Sequence, residues 1–309
     1  MPRHDPETTL YCGQRQPAGI RIEGNHMIKL GLIGRSIAKS SSPSLHKLLG
    51  ELTGYAIDYR LHEPKDNSPA AFAETLQQLR AEGYRGCNVT YPFKQVALDL
   101  VSQTRPEAEL VGSTNTLLLS DGVLAANTDY TGFIRGYRSR LGDLPAGTVL
   151  LIGAGGVGRA VAFGLFEVGA SEVIVFDRNA AAAQSLADAI NAAGFSADVV
   201  GAGALADAAR LADGLVNCTP VGHYKTPGNP LPPELFGGQK WAFDAVYTPL
   251  DTEFLTEAHR HGLALMSGFD LFIYQGIDAF EIFMDLKVNA TRALAAFQQR
   301  YALHSELIR

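Results

Sequence analysis

Two residues of this chain, Lys94 and Asp129, have the types and surroundings needed to move a proton. Lys94 closes the run Asn88-Val89-Thr90-Tyr91-Pro92-Phe93-Lys94, where polar residues leave a strand and Pro92 opens a helix, setting the lysine one turn in. Asp129 closes Asn127-Thr128-Asp129, ahead of a helix carrying Phe133, Ile134 and Tyr137. Most lysines so placed are solvated, and Asp129 would serve equally as a helix N-cap. A lysine desolvated in a cleft is different, because its pKa falls and it trades protons near neutral pH. An aspartate hydrogen-bonded to the same substrate hydroxyl would keep that lysine oriented.

A hydride acceptor is suggested by a second stretch. Val149 to Ile152 reads as a buried strand, followed by Gly153-Ala154-Gly155-Gly156-Val157-Gly158 and a helix with Val161, Leu165 and Val168 on one face. The spacing Gly153-x-Gly155-x-x-Gly158 is the dinucleotide fingerprint. Gly153 turns the chain off the strand, Gly155 admits a pyrophosphate to the backbone, and Gly158 lets helix and sheet approach. Free N–H groups at the helix start would hold the anion. The next strand, Glu172 to Phe176, ends in Asp177, about 20 residues on, where an acid would accept from adenosine ribose hydroxyls. A structural βαβ unit with a polar strand end is the alternative. If a nicotinamide binds here, Lys94 and Asp129 would carry the alcohol proton as hydride leaves.

Two further polar clusters stand apart from these. Ser40-x-Ser42-Pro43 lies at a helix start with Ser42 as N-cap and Leu45, Leu48, Leu49 and Leu52 on the apolar face. It reads as capping alone or as two hydroxyls holding a carboxylate. Thr114-Asn115-Thr116 opens a hairpin whose Asp121-Gly122 is a favoured turn.

Together these motifs resemble the shikimate/quinate dehydrogenase family over Lys29 to Phe283. The family's Ser-x-Ser-Pro-x-x-His stands here as Ser40 to His46, its Asn-Val-Thr-x-Pro-x-Lys as Asn88 to Lys94, and its Asn-Thr-Asp-x-x-Gly as Asn127 to Gly132. The resemblance implies that Ser40 and Ser42 bind the carboxylate of a hydroxylated cyclic acid. Asn88, Thr90, Asn115 and Gln275 would hold its ring hydroxyls, and Lys94 and Asp129 would be the catalytic pair. Asn217-Cys218-Thr219-Pro220-Val221-Gly222 is similar to a family segment lining the nicotinamide side, which brings in Asn217, Thr219 and Val221. The family's Gly-x-Gly-Met-Leu is Gly268-Phe269-Asp270-Leu271-Phe272, placing Gly268 and an acid near the nicotinamide. The usual Asn-Pro and His before the serines are Arg35-Ser36 and Lys39. Shikimate, quinate, dehydroshikimate and an amino analogue all stay open as substrates. A non-catalytic nucleotide sensor on this fold, or a similarly built dehydrogenase for another small substrate, are the alternative functions.

Cofactor choice follows from charge. NADP-preferring members present Asn-Arg-Thr where this chain has Asp177-Arg178-Asn179. Asp177 would repel a ribose phosphate, although Arg178 could contact one or stack on adenine. NAD is expected to be preferred, with NADP the weaker alternative.

Strands alternate with helices throughout, predicting an α/β protein of two domains. Residues 27–128, completed by 268–309, would bind substrate; residues 129–267 would form an inserted Rossmann dinucleotide-binding domain. Residues 1–26, polar and without the apolar core of a secretory signal, read as a flexible extension. The 309 residues are 46% hydrophobic and 19% charged with net charge −6, which fits a soluble globular protein and argues against nucleic acid. Cys12, Cys87 and Cys218 show neither disulfide pairing nor zinc-site spacing, and no apolar run would span a membrane. A cytoplasmic monomer or homodimer without a metal is therefore expected.

Overall fold

A computed structural model describes residues 27–307, and the extension expected over residues 1–26 lies outside the described residues. The first part of the chain runs β1 (Ile28–Ile33), α1 (Ser42–Thr53), β2 (Ile57–His62), α2 (Pro69–Ala81), β3 (Gly86–Val89), β4 (Gln103–Thr104), α3 (Pro106–Val111), β5 (Thr116–Leu119) and β6 (Val123–Ala126). These strands form one mixed sheet in the order β2-β1-β3-β5-β6-β4. The chain then passes through α4 (Thr128–Leu141), β7 (Gly147–Ile152), α5 (Gly156–Glu167), β8 (Ala170–Phe176), α6 (Ala180–Ala192), β9 (Ala197–Val199), α7 (Leu205–Leu211), β10 (Gly214–Asn217), β11 (Trp241–Asp244), α8 (Glu253–Arg260) and β12 (Ala264–Ser267). Every strand pair of this second sheet is parallel, and its order is β12-β11-β10-β7-β8-β9. That is the doubly wound dinucleotide order, with its switch point between β7 and β10, where a crevice opens at the strands' carboxyl ends.

Two closing helices, α9 (Gly268–Met284) and α10 (Ala290–Arg300), return to the first sheet. Their Ile273, Ile277, Phe280, Phe283 and Phe297 share one core with Leu30, Leu45, Leu48 and Leu49. The second sheet buries Val149, Leu151, Val173 and Val175 against α5 residues Val161 and Leu165. Each such side chain contributes roughly 1.5–3 kcal/mol, so a helix with several of them is pinned to its sheet. Helices α4 and α9 cross closely because α4 carries Gly132, where an added Cβ would lie 2.5 Å from the Gln275 backbone nitrogen. This approach sets Gln275 beside the second turn of α4.

Two local expectations are corrected. Ser42 is not the N-cap of α1; Ser41 is, because Leu45 N–H bonds the Ser41 carbonyl at 3.1 Å, putting Ser42 inside the first turn. Pro92 does not open an α-helix either. Phe93 N–H bonds the Thr90 carbonyl (3.0 Å) in a tight turn, and only a short 3₁₀ segment follows over Val96–Leu100. Lys94 therefore rides on a turn rather than on a helix.

Candidate active site

The lysine turn is fixed from below and from the side. Phe93 is fully buried and stacks on Phe72 with ring centroids 5.1 Å apart, while the Lys94 carbonyl accepts from Thr114 N–H at 2.8 Å. Opposite it, Asn127 caps α4 by accepting from Tyr130 N–H and donates to the Ser113 carbonyl. That cap holds Asp129 in the first helical turn. Lys94 Nζ and Asp129 Oδ2 lie 2.5 Å apart, with side-chain exposures of 12% and 9%. A pair this well shielded keeps its Coulomb attraction and can hand a proton to a ligand hydroxyl without competition from bulk water.

Both residues line a cavity of about 430 Å³ between the two sheets' loops. Its wall includes Ser40 and Ser42, whose hydroxyl oxygens are 3.1 Å apart; Ser40 Oγ also accepts from Ser42 N–H. Asn88 is held from three sides. Its Oδ1 accepts from the Tyr59 hydroxyl at 2.8 Å, and its Nδ2 donates to Thr116 Oγ1 and the Asn115 carbonyl. Asn115 differs, because its Oδ1 accepts from Thr128 N–H, Thr128 Oγ1 and Thr116 Oγ1. Its Nδ2 is thus the end left to donate into the cavity. Beneath Asn88, His46 stacks on Tyr59 at 4.6 Å, and burial pushes its pKa down to about 3, so the floor is neutral.

The glycine turn reaches the same place. Val157 lines the cavity, and a Cβ on Gly156 would touch Lys94 Cδ at 3.2 Å. Nothing lies within 4 Å of where a Gly155 Cβ would stand, so the space over the turn is open. No side chain caps α5, which leaves the N–H groups of Gly156, Val157 and Gly158 directed at that space. A smaller cavity of about 280 Å³ continues along Gly153, Asp177, Arg178, Thr219 and Val221. Asp177 is fixed at its rim by Ala154 N–H on one oxygen and Asn179 N–H on the other, each at 2.8 Å. An open glycine turn with free donors, flanked by an anchored carboxylate, fits a dinucleotide.

Comparison with known proteins decides the family. Residues 32–117 match the model of the shikimate dehydrogenase substrate binding domain, and residues 137–220 match that of shikimate / quinate 5-dehydrogenase. A quinate/shikimate dehydrogenase (NAD(+)) of Corynebacterium efficiens is 37% identical over 280 residues, covering 88% of this chain and 99% of that one. The chain belongs to the shikimate/quinate dehydrogenase family. A shikimate dehydrogenase (NADP(+)) of an Arthrobacter species is 36% identical, over 88% of this chain and 95% of its own. The quinate dehydrogenase from Corynebacterium glutamicum in complex with NAD superposes with a TM-score of 0.82 at 32% identity, over 88% and 99% of the two chains. The protein is accordingly an NAD(P)-dependent oxidoreductase.

In this dehydrogenase the two-lobed cavity gathers Ser40, Ser42, Asn88, Thr90, Lys94, Asn115, Asp129, Val157, Gly268 and Gln275, all anticipated from the sequence. Asn217 is not among them. It is fully buried, its Oδ1 accepting from Thr219 and its Nδ2 donating to Val221 and Asp244, so its side-chain polar atoms are engaged in shaping the turn. Asp270 also departs from expectation. It points away from the cavity, forms a capping box with Ser267 and pairs with Arg140 at 2.8 Å. Neither Cys87 nor Cys218 is poised as a nucleophile, since burial raises both thiols, Cys87 to about 12.

Sequence reasoning missed Tyr247, Lys225 and His223 on the cavity wall, and the fully buried Asp244 that precedes the lining residue Ala245. Asp244 ends β11 and accepts from Asn217, Val246 N–H and the Thr252 hydroxyl at 2.6–2.9 Å. Burial pushes its carboxyl up to about 7 despite those bonds. The spacing Asp244-x-x-Tyr247, directly after a strand, was the available signal, because carboxyl ends of parallel strands face the crevice. Among the described residues no helix is long and apolar enough to cross a membrane, and no group of His, Cys, Asp or Glu is arranged to hold a metal ion.

Proposed function

We propose that this dehydrogenase reversibly oxidises a ring hydroxyl of quinate, shikimate or a close hydroxylated cyclic carboxylate, with Lys94 and Asp129 moving the alcohol proton. The observation that carries this reading is the 2.5 Å Lys94–Asp129 pair inside a cavity that also presents two serine hydroxyls and the glycine turn. Ser40 and Ser42 take the carboxylate, while Asn115 Nδ2 and Gln275 orient ring hydroxyls toward the pair. Bound NAD(P) supplies the hydride acceptor. Lys94 receives the proton at Nζ as Asp129 holds that nitrogen on the reacting oxygen. The curated relatives named above, one acting on quinate and shikimate and one on shikimate, support the substrate class. The test is an NAD(H)- and NADP(H)-linked assay of shikimate, quinate and their keto forms. Turnover of at least one is expected; none across the panel would end the reading.

NAD is the proposed preference. Asp177 ends the strand after the glycine turn, its carboxylate held in place by two backbone N–H groups, which supports a contact with ribose hydroxyls rather than with a ribose phosphate. Like charges there raise the cost of NADP more than Arg178, which is exposed, offsets. The relative from Corynebacterium efficiens is named for NAD(+) and that from Arthrobacter for NADP(+), so the family contains both solutions. Replacing Asp177→Ala should lower the NAD-to-NADP ratio of kcat/KM by about tenfold or more, the equivalent of about 1.4 kcal/mol. A parent enzyme that favours NADP would refute the assignment.

A further inference from the structure

The loops that border the substrate cavity carry more positive charge than carboxylate recognition by serine hydroxyls requires. Arg35, Lys39, Lys94 and Lys225 all line it, and among the described residues the one acid on its wall is Asp129, which Lys94 engages. This concentration occurs in a chain of net charge −6. Arg35 is occupied in part, donating to the Pro64 carbonyl at 2.5 Å. Lys39 and Lys225 are exposed, and no side-chain hydrogen bond or ion pair engages either ammonium among the described residues.

Their placement is not accidental to the backbone. Lys39 sits in the turn Ile37–Ser40, closed by Ser40 N–H on the Ile37 carbonyl at 2.8 Å, with Ile37 N–H fastened to Glu63. This turn belongs to the first sheet and leads straight into Ser40. Lys225 sits at the tip of a small hairpin of the second lobe, where Thr226 N–H bonds the His223 carbonyl at 2.8 Å and Gly222 N–H bonds the Thr226 carbonyl at 2.9 Å. His223 Nδ1 further accepts from the Lys225 N–H at 3.0 Å. Two turns, one following the first strand of the first sheet and one following β10 of the second, thus each place a lysine on the wall of the same cavity.

Resting on the substrate class proposed above, the geometry points to a charge latch in which Lys39 and Lys225 clamp the carboxylate of the substrate from opposite lobes. The serine hydroxyls supply direction but no net charge, whereas the lysines supply a field that falls off over about 8–10 Å at ordinary ionic strength. With the cavity empty the two ammonium groups oppose closure of the lobes. An anion between them reverses the sign of that term, so closure over the Lys94–Asp129 pair becomes conditional on a carboxylate. A neutral ring polyol, or the primary amide of the same acid, lacks that signal. The lysines are specificity-determining residues in this scheme and take no part in proton transfer.

The test uses the full-length enzyme with quinate and shikimate, and with the primary amide of the better substrate. Lys39→Gln and Lys225→Gln should each raise KM for the acid by about threefold to tenfold, the range of a partly desolvated charge contact, while kcat at saturation moves less. Their KM for the amide should move little, and the fall of kcat/KM with added salt should flatten in the double variant. Lys39→Arg and Lys225→Arg should restore the acid's KM. Lys47→Gln, an exposed lysine on α1 outside the cavity, controls for overall charge. If the parent turns over the acid and both Gln variants keep its KM and salt dependence, the latch is wrong and the substrate assignment survives. Failure of the parent to bind or turn over any ring acid, read by calorimetry beside the assay, removes both.

Discussion

At the scale of single residues, the Lys94–Asp129 pair makes the sharpest demand. Lys94→Ala should reduce kcat by about 10²–10⁴, the usual range for loss of a positioned proton carrier, with NADH affinity changed little. Stopped-flow hydride transfer beside fluorescence titration of NADH separates the two quantities; a kcat within tenfold of the parent would exclude Lys94 as the carrier. Asp244 makes a different prediction, about stability. Its folded pKa of about 7 lies well above that of an unfolded aspartate, so the folded state holds a proton that the unfolded chain has lost. Its contribution is therefore full at acid pH and is lost as pH rises toward 7, where burying the anion becomes costly. Relative to Asp244→Asn, the parent should lose urea resistance as pH rises from about 4 to about 7 and change little beyond it. A difference that stays constant over that window would show that Asp244 is ionised throughout. The Thr252 hydroxyl, which can turn from donor to acceptor, is what allows the protonated form to remain bonded.

At the scale of elements, the glycine turn separates folding from binding. A Cβ at Gly158 would stand 1.9 Å from the Gly153 carbonyl oxygen, a backbone atom of the same turn, whereas a Cβ at Gly155 meets nothing. Gly158→Ala should therefore cost about 1–3 kcal/mol and lower Tm, while Gly155→Ala should leave Tm intact and weaken NADH binding by crowding the open space over the turn. Equal Tm losses in both would contradict this division of labour. The turn was legible in the sequence because strand, glycines, helix and acid are contiguous, and contiguous signals need no tertiary knowledge. Lys94 and Asp129 were legible as candidates for the same reason, each closing a short polar run after a strand. What the sequence could not reveal was set across distance. Asp270 looked like an acid beside the nicotinamide until Arg140, 130 positions earlier, was seen to claim it. Nor could the sequence show that the Asn217 side chain is engaged by Asp244, 27 positions later, and by Val221. Pro92 looked like a helix start because proline favours that position, yet the Thr90–Phe93 turn satisfied the backbone first.

At the scale of the whole molecule, the question is how two sheets with separate cores behave as one machine. Their junction is the crossing of α4 and α9. Helix α4 packs Phe133 and Tyr137 into the second sheet's core, while α9 sends Phe280 and Phe283 into the first. Asp270 fixes the start of α9 through the capping box at Ser267 and fastens the crossing through its ion pair with Arg140 of α4. Removing both by Asp270→Ala should cost about 3–5 kcal/mol, mostly from disrupting a charge pair whose acid is 1% exposed. The chain's single tryptophan, Trp241, is fully buried in the second lobe and donates to the Ala146 carbonyl, so its emission reports that lobe alone. In the parent, urea transitions by Trp241 emission and by far-ultraviolet circular dichroism should coincide. In Asp270→Ala they should part. NADH at 100 times its Kd adds about 2.7 kcal/mol to whatever unit binds it. That addition should move both transitions together in the parent and chiefly the Trp241 transition in the variant. Coincident transitions in Asp270→Ala, moving together on addition of NADH, would mean that the lobes are coupled through the loops around the cavity rather than through the crossing of α4 and α9.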